Sequence, residues 1–113
     1  MATAGDLAAN FQKAADFIRS LPPEGSIQPS QELKLKYYSH YKQATIGKCD
    51  MPRPGMLDFT GKAKWDAWNA LGDMSKDVAM REYIKIMVAS MSENEKTPAS
   101  EALLKELSEF LKV

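Results

Sequence analysis

The chain has 113 residues, 44% hydrophobic and 27% charged, which suits one globular domain with its own core and argues against intrinsic disorder. Its 15 basic and 15 acidic residues cancel; a dedicated nucleic-acid binder needs a basic excess, so any anion site here must be a local cluster. The single cysteine, Cys49, excludes an intrachain disulfide and a cysteine-based zinc site and fits a reducing compartment.

In chain order the sequence reads as helices separated by proline and glycine breaks. Thr3 and Asp6 fit a capping-box start. Leu7, Phe11, Ala14, Ala15, Ile18 and Leu21 then repeat at helical spacing until Pro22 and Pro23 end the run. Ser30 is a good N-cap for a second helix, whose apolar face carries Leu33, Tyr37, Tyr41 and Ala44 and whose stop is Gly47. Residues 48–59, with Pro52, Pro54 and Gly55, read as a long connection. A short third helix is expected from about Lys62 to Leu71, ended by Gly72. Ser75 caps a fourth, striped by Ala79, Met80, Tyr83, Ile84, Met87, Val88 and Met91. Thr97 and Pro98 start a fifth, with Leu103, Leu104, Leu107, Phe110 and Leu111 on one face. No strand alternation is visible, so the expected class is all-α.

Met1 to Phe11 lacks the basic start and apolar run of a signal peptide and is poor in arginine, so a cytoplasmic location is expected. No stretch approaches the roughly 20 apolar residues of a membrane span, and no stable membrane insertion is expected.

Catalysis finds little support. His40 is the only histidine, so a His-rich metal site is excluded and any Ser-His-Asp or Cys-His arrangement would have to use it. It sits mid-helix, where a packed, hydrogen-bonded role is the ordinary one. The Gly55–Lys62 stretch fails as a phosphate loop, because the glycine spacing is one residue too long, Ala63 follows the lysine and no strand precedes it. The informative feature is a mixture of lysines and tyrosines. Tyr38 and Lys42 are four apart and share a helix face, Lys34 lies two turns before Lys42 along that line, Lys62 and Lys64 open the third helix, and Tyr83 lies on the fourth. Tyrosine supplies a ring for stacking and a hydroxyl; lysine supplies charge to phosphate. The set suits a nucleotide-like anion, while Tyr83 on an apolar stripe also reads as core.

Four blocks carry a resemblance. Tyr38-Ser39-His40-Tyr41-Lys42-Gln43-Ala44-Thr45-Ile46-Gly47 resembles the signature of the acyl-CoA-binding protein family, as does Arg53-Pro54-Gly55-Met56-Leu57-Asp58-Phe59 running into Gly61-Lys62-Ala63-Lys64-Trp65-Asp66-Ala67-Trp68-Asn69. Phe11-Gln12-Lys13-Ala14-Ala15 and Ala79-Met80-Arg81-Glu82-Tyr83-Ile84 complete the match, in family order, over about Leu7 to Met91. The resemblance implies a four-helix bundle that binds fatty acyl-CoA. It implies that Tyr38, Lys42 and Lys64 meet the ribose 3′-phosphate, that Tyr83 packs by the adenine, and that Tyr41 and Ala15 lie near the ligand. Arg19 stands where the family often has lysine, keeping charge but changing geometry.

The chain departs from the family pattern in its fifth helix and in the apolar end of its fourth. The expected organisation is an acyl-CoA-binding domain at 1–92 and a C-terminal extension at 93–113, a helix packed on the bundle. The expected function is a carrier and pool former for medium- and long-chain fatty acyl-CoA. No catalytic residue, metal or cofactor is expected; nor is a nucleic-acid partner, and the chain is expected to be a monomer. The alternative is a helical protein-interaction module with a regulatory acyl-CoA site. A thioesterase ranks behind both, for want of an activated nucleophile. Trp65 and Trp68 are expected to be mainly structural.

Overall fold

A computed structural model describes residues 4–20, 30–91 and 98–111, and among them every regular element is a helix. The helices are α1 Ala4–Ser20, α2 Gln31–Thr45, α3 Phe59–Asn69, α4 Lys76–Met91 and α5 Pro98–Leu111. Their starts follow local chemistry. The Ser30 hydroxyl accepts from the Leu33 N–H at 3.1 Å, and the Ser75 hydroxyl accepts from the Val78 N–H at 3.1 Å. The expected caps Thr3 and Thr97 lie outside the described residues.

The third helix begins earlier than the sequence suggested. Asp58 is its N-cap, and its carboxylate accepts from the Gly61 N–H at 2.9 Å. The helix therefore opens at Phe59, and Lys62 and Lys64 fall in its first and second turns rather than at its first residues. An aspartate satisfying an orphan donor outweighed the glycine that follows it. Helix ends behaved as read at two glycines: Gly47 and Gly72 adopt φ of 103° and 59°, where a side chain would be strained.

The helices fall into two compact units. One holds α1, α4 from Arg81 onward, and α5. Its buried side chains are Phe11, Ala14, Ala15, Tyr83, Ile84, Met87, Leu104 and Leu107, drawn from the apolar stripes of those three helices. The Phe11 and Tyr83 rings meet edge to face with centroids 5.2 Å apart. At its surface Lys13 of α1 pairs with Glu106 of α5 at 2.5 Å. Arg81 of α4 donates through Nη2 to the Leu111 carbonyl of α5 at 2.7 Å, satisfying one of the acceptors a helix end leaves open.

The other unit holds α2, α3 and the start of α4 up to Met80. Tyr37, Ala44, Trp68 and Ala79 are buried in it, with Ser39 and Gln43 as buried polar residues. Gln43 donates through Nε2 to the Gly72 carbonyl at 3.0 Å and the Met74 carbonyl at 2.7 Å. These bonds fasten the turn after α3 to α2.

Candidate functional site

The first cue is Tyr38, half-buried on α2. The Lys42 ammonium lies 5.8 Å from the centroid of its ring, as the four-residue spacing within one helix requires. The Lys64 ammonium, from α3, lies 5.2 Å from the same centroid. Packing of α2 on α3 therefore brings two cations to one aromatic ring. Neither lysine forms an ion pair with a carboxylate among the described residues. Two like charges at one ring repel, and a multiply charged anion between them would relieve that repulsion. Lys42 also sits in the last turn of α2, where the helix dipole favours a cation.

Trp68 builds this arrangement from below. It is buried, and its ring centroid lies 6.0 Å from the Lys42 ammonium. Its indole Nε1 donates to the Gly47 carbonyl at 2.9 Å. Trp65 donates in the same way to the Met51 carbonyl at 2.7 Å. Both tryptophans thus hold the connection between α2 and α3, and Trp68 also borders the lysine pair. A two-point ion pair adds a third anchor: Arg53 Nε meets Asp66 Oδ1 at 3.0 Å, and Nη2 meets Oδ2 at 3.1 Å. Hydrogen bonding and charge from Arg53 hold the Asp66 carboxyl below the ordinary carboxylate range, against a smaller opposing effect of desolvation. Neither this pair nor the Trp68 contact announces itself in the sequence, because the partners lie on different elements. The Asp58 cap does carry a local signal, an aspartate three residues before Gly61.

The remaining expected residues are distributed as follows. Tyr41 is half-buried on α2, one residue before Lys42. Tyr83 and Ala15 belong to the other unit, where both are buried. Arg19 is exposed near the end of α1, with Asp16 at 4.0 Å. His40 lies on α2 with Nδ1 2.8 Å from the Lys36 carbonyl. A carbonyl only accepts, so Nδ1 carries the proton there. The hydrogen bond is the one expected of a mid-helix histidine, and the ring is half-buried. Among the described residues no cluster of three or more His, Cys, Asp or Glu side chains is placed to hold a metal ion. No described helix is long and apolar enough to cross a membrane.

A family model described as Acyl CoA binding protein matches residues 8–87. The chain belongs to the acyl-CoA-binding protein family. Acyl-CoA-binding domain-containing protein 5 of Xenopus tropicalis is 48% identical over 103 residues, covering 91% of this chain and 22% of that relative. The Gallus gallus protein of the same name is 46% identical over 114 residues, covering 100% of this chain and 23% of the relative. This chain thus spans less than a quarter of either. Among solved structures, an acyl-CoA-binding protein from Moniliophthora perniciosa is similar at a TM-score of 0.82 and 39% identity, over 90% of this chain and 95% of that one. Acyl-CoA-binding protein 2 of Oryza sativa is similar at a TM-score of 0.69 and 37% identity, over 77% and 90%. The all-α class expected from helical periodicity and the acyl-CoA-binding-protein fold implied by the resemblance are both observed.

Proposed function

We propose that this chain binds medium- and long-chain fatty acyl-CoA esters and acts as their intracellular carrier and reserve in the cytoplasm. The observation that carries this reading is the convergence of Lys42 and Lys64 on the Tyr38 ring, with neither lysine ion-paired among the described residues. These are the residues to which the family resemblance assigns the ribose 3′-phosphate. Two ammonium groups and a phenol supply charge-assisted donors to such a phosphate. The acyl tail supplies the rest of the affinity, at about 0.8 kcal/mol per buried CH₂, so longer chains bind more tightly. The resemblance extends ligand contact to Tyr41, Tyr83, Ala15 and Arg19. The role we propose is binding and not turnover, supported by the match of residues 8–87 to a family described as a binding protein.

Calorimetric titration with palmitoyl-CoA, free CoA and palmitate at one salt concentration tests the proposal. Palmitoyl-CoA binds far more tightly than either fragment and is recovered intact. Equal affinity for CoA and palmitoyl-CoA removes the tail from the account; hydrolysis of the thioester replaces the carrier with an enzyme.

A further inference from the structure

The contacts between α2 and α3 advance in step. Lys64 lies at the Tyr38 ring, and Trp68, one turn later on α3, lies at Lys42, one turn later on α2. The meeting of Lys64 with Tyr38 is therefore a matter of register. A slide of α3 by one turn, about 5.4 Å, would carry the Lys64 ammonium beyond the roughly 6 Å over which a ring attracts a cation. Apolar packing is non-directional and does little to forbid such a slide. Hydrogen bonds, with their narrow geometry, do forbid it.

Gln43 stands next along the same line, one residue after Lys42, and is 0% exposed. Its Nε2 donates to the Gly72 carbonyl at 3.0 Å and to the Met74 carbonyl at 2.7 Å. Both carbonyls lie in the turn that follows α3. Trp65, Trp68 and Arg53 tie α3 to the connection before it; Gln43 ties α2 itself to the turn after it. The bonds come at a cost, because Gln43 Oε1 is buried without a partner among the described residues. An apolar side chain of similar size would avoid that cost, so the amide serves the arrangement of the two helices more than their stability. We infer that Gln43 is a positioning residue for the ligand: its two bonds set the register of α3 on α2, and so hold Lys64 and Lys42 at one ring. It acts through Lys64 and touches no ligand itself. The inference rests on the reading of the two lysines as phosphate ligands.

Gln43→Met and Gln43→Leu remove both donors and keep an apolar side chain in the core. Titration of the whole chain with palmitoyl-CoA and with its 3′-dephospho ester reads the consequence as a ratio of two affinities. The parent prefers palmitoyl-CoA by about tenfold or more, as one charge-assisted bond supplies. In both Gln43 variants that preference falls to about threefold or less, with little change in affinity for the dephospho ester. Leu107→Ala, at a buried position of the other unit, lowers the urea midpoint and leaves the ratio as in the parent, which separates positioning from stability. A second measurement needs no ligand. The Tyr38 ring shifts the proton resonances of the Lys64 ε-methylene, an effect identified by its loss in Tyr38→Leu, and Gln43→Met loses it too. A parent without preference for palmitoyl-CoA over the dephospho ester rejects the phosphate assignment and leaves the register to be judged by the proton shift. The parent's full preference in both variants, a ring shift that survives in Gln43→Met, or failure of both variants to fold overturns the inference.

Discussion

The ammonium of Lys64 on α3 lies 5.2 Å from the centroid of the Tyr38 ring on α2, and Lys42 approaches the same ring from within α2. If this pair holds one phosphate, Lys42→Ala and Lys64→Ala each weaken palmitoyl-CoA binding by about 1.5–3 kcal/mol, the range for hydrogen bonds to charged groups. The double variant loses less than the two losses added, because both lysines address one group. Titration with the dephospho-CoA ester separates the phosphate from the rest of the ligand. An equal loss with that ester rejects the assignment.

Asp58 and Gly61 form the second testable relationship. A Cβ at Gly61 would collide with the Asp58 carboxylate that caps α3. Alanine in place of glycine inside a helix is ordinarily stabilising by about 1 kcal/mol. Here the carboxylate must swing away and surrender the Gly61 N–H, a cap whose loss costs about 0.5–2 kcal/mol. Gly61→Ala is therefore neutral or destabilising in the parent and stabilising in an Asp58→Ala background. Urea unfolding of the four proteins in the cycle reads the difference.

The Arg53–Asp66 pair has a defined pH signature. The ordinary carboxyl value is 3.8, and the Arg53 hydrogen bond and charge lower that of Asp66. The group binds a proton less readily folded than unfolded, so its stabilisation is complete above about pH 5. It is lost as pH falls below 3.8 and through the depressed folded value. Asp66→Asn and Arg53→Gln flatten that part of the stability curve and leave the region above pH 5 with the same slope as the parent. Denaturant midpoints measured from pH 2 to 6 check this, and an unchanged acid limb in both variants rejects the pair as its source.

Removal of residues 97–113 tests the fifth helix. Leu104 and Leu107 are buried, Lys13 pairs with Glu106, and Arg81 donates to the Leu111 carbonyl. Burial of two leucines corresponds to about 3–6 kcal/mol. The truncated chain melts earlier and remains monomeric in sedimentation. Its lysine pair at Tyr38 belongs to the other unit, so the contribution of the 3′-phosphate to palmitoyl-CoA binding persists while the shortened chain stays folded. A dimer that becomes a monomer on truncation assigns the stripe to an interchain contact instead.

What could be read from the sequence were the features whose causes lie within a few residues of one another. The helical periodicity of Phe11, Ala14 and Ala15, or of Tyr83, Ile84 and Met87, is such a feature, and these residues are buried. So are the Ser30 and Ser75 caps and the glycine stops at Gly47 and Gly72. The neighbourhood of Tyr38 and Lys42 was legible too, because residues four apart on a helix share a face. The start of α3 is local as well: the sequence reading opens the helix near Lys62, and the Asp58 cap opens it at Phe59. Tertiary structure alone decided the rest. Lys64 reaches Tyr38, Trp68 reaches Lys42 and Gly47, and Arg53 meets Asp66 only after α2 and α3 pack. Those distances depend on how two helices and the connection between them come together, a relation that periodicity within either helix does not encode.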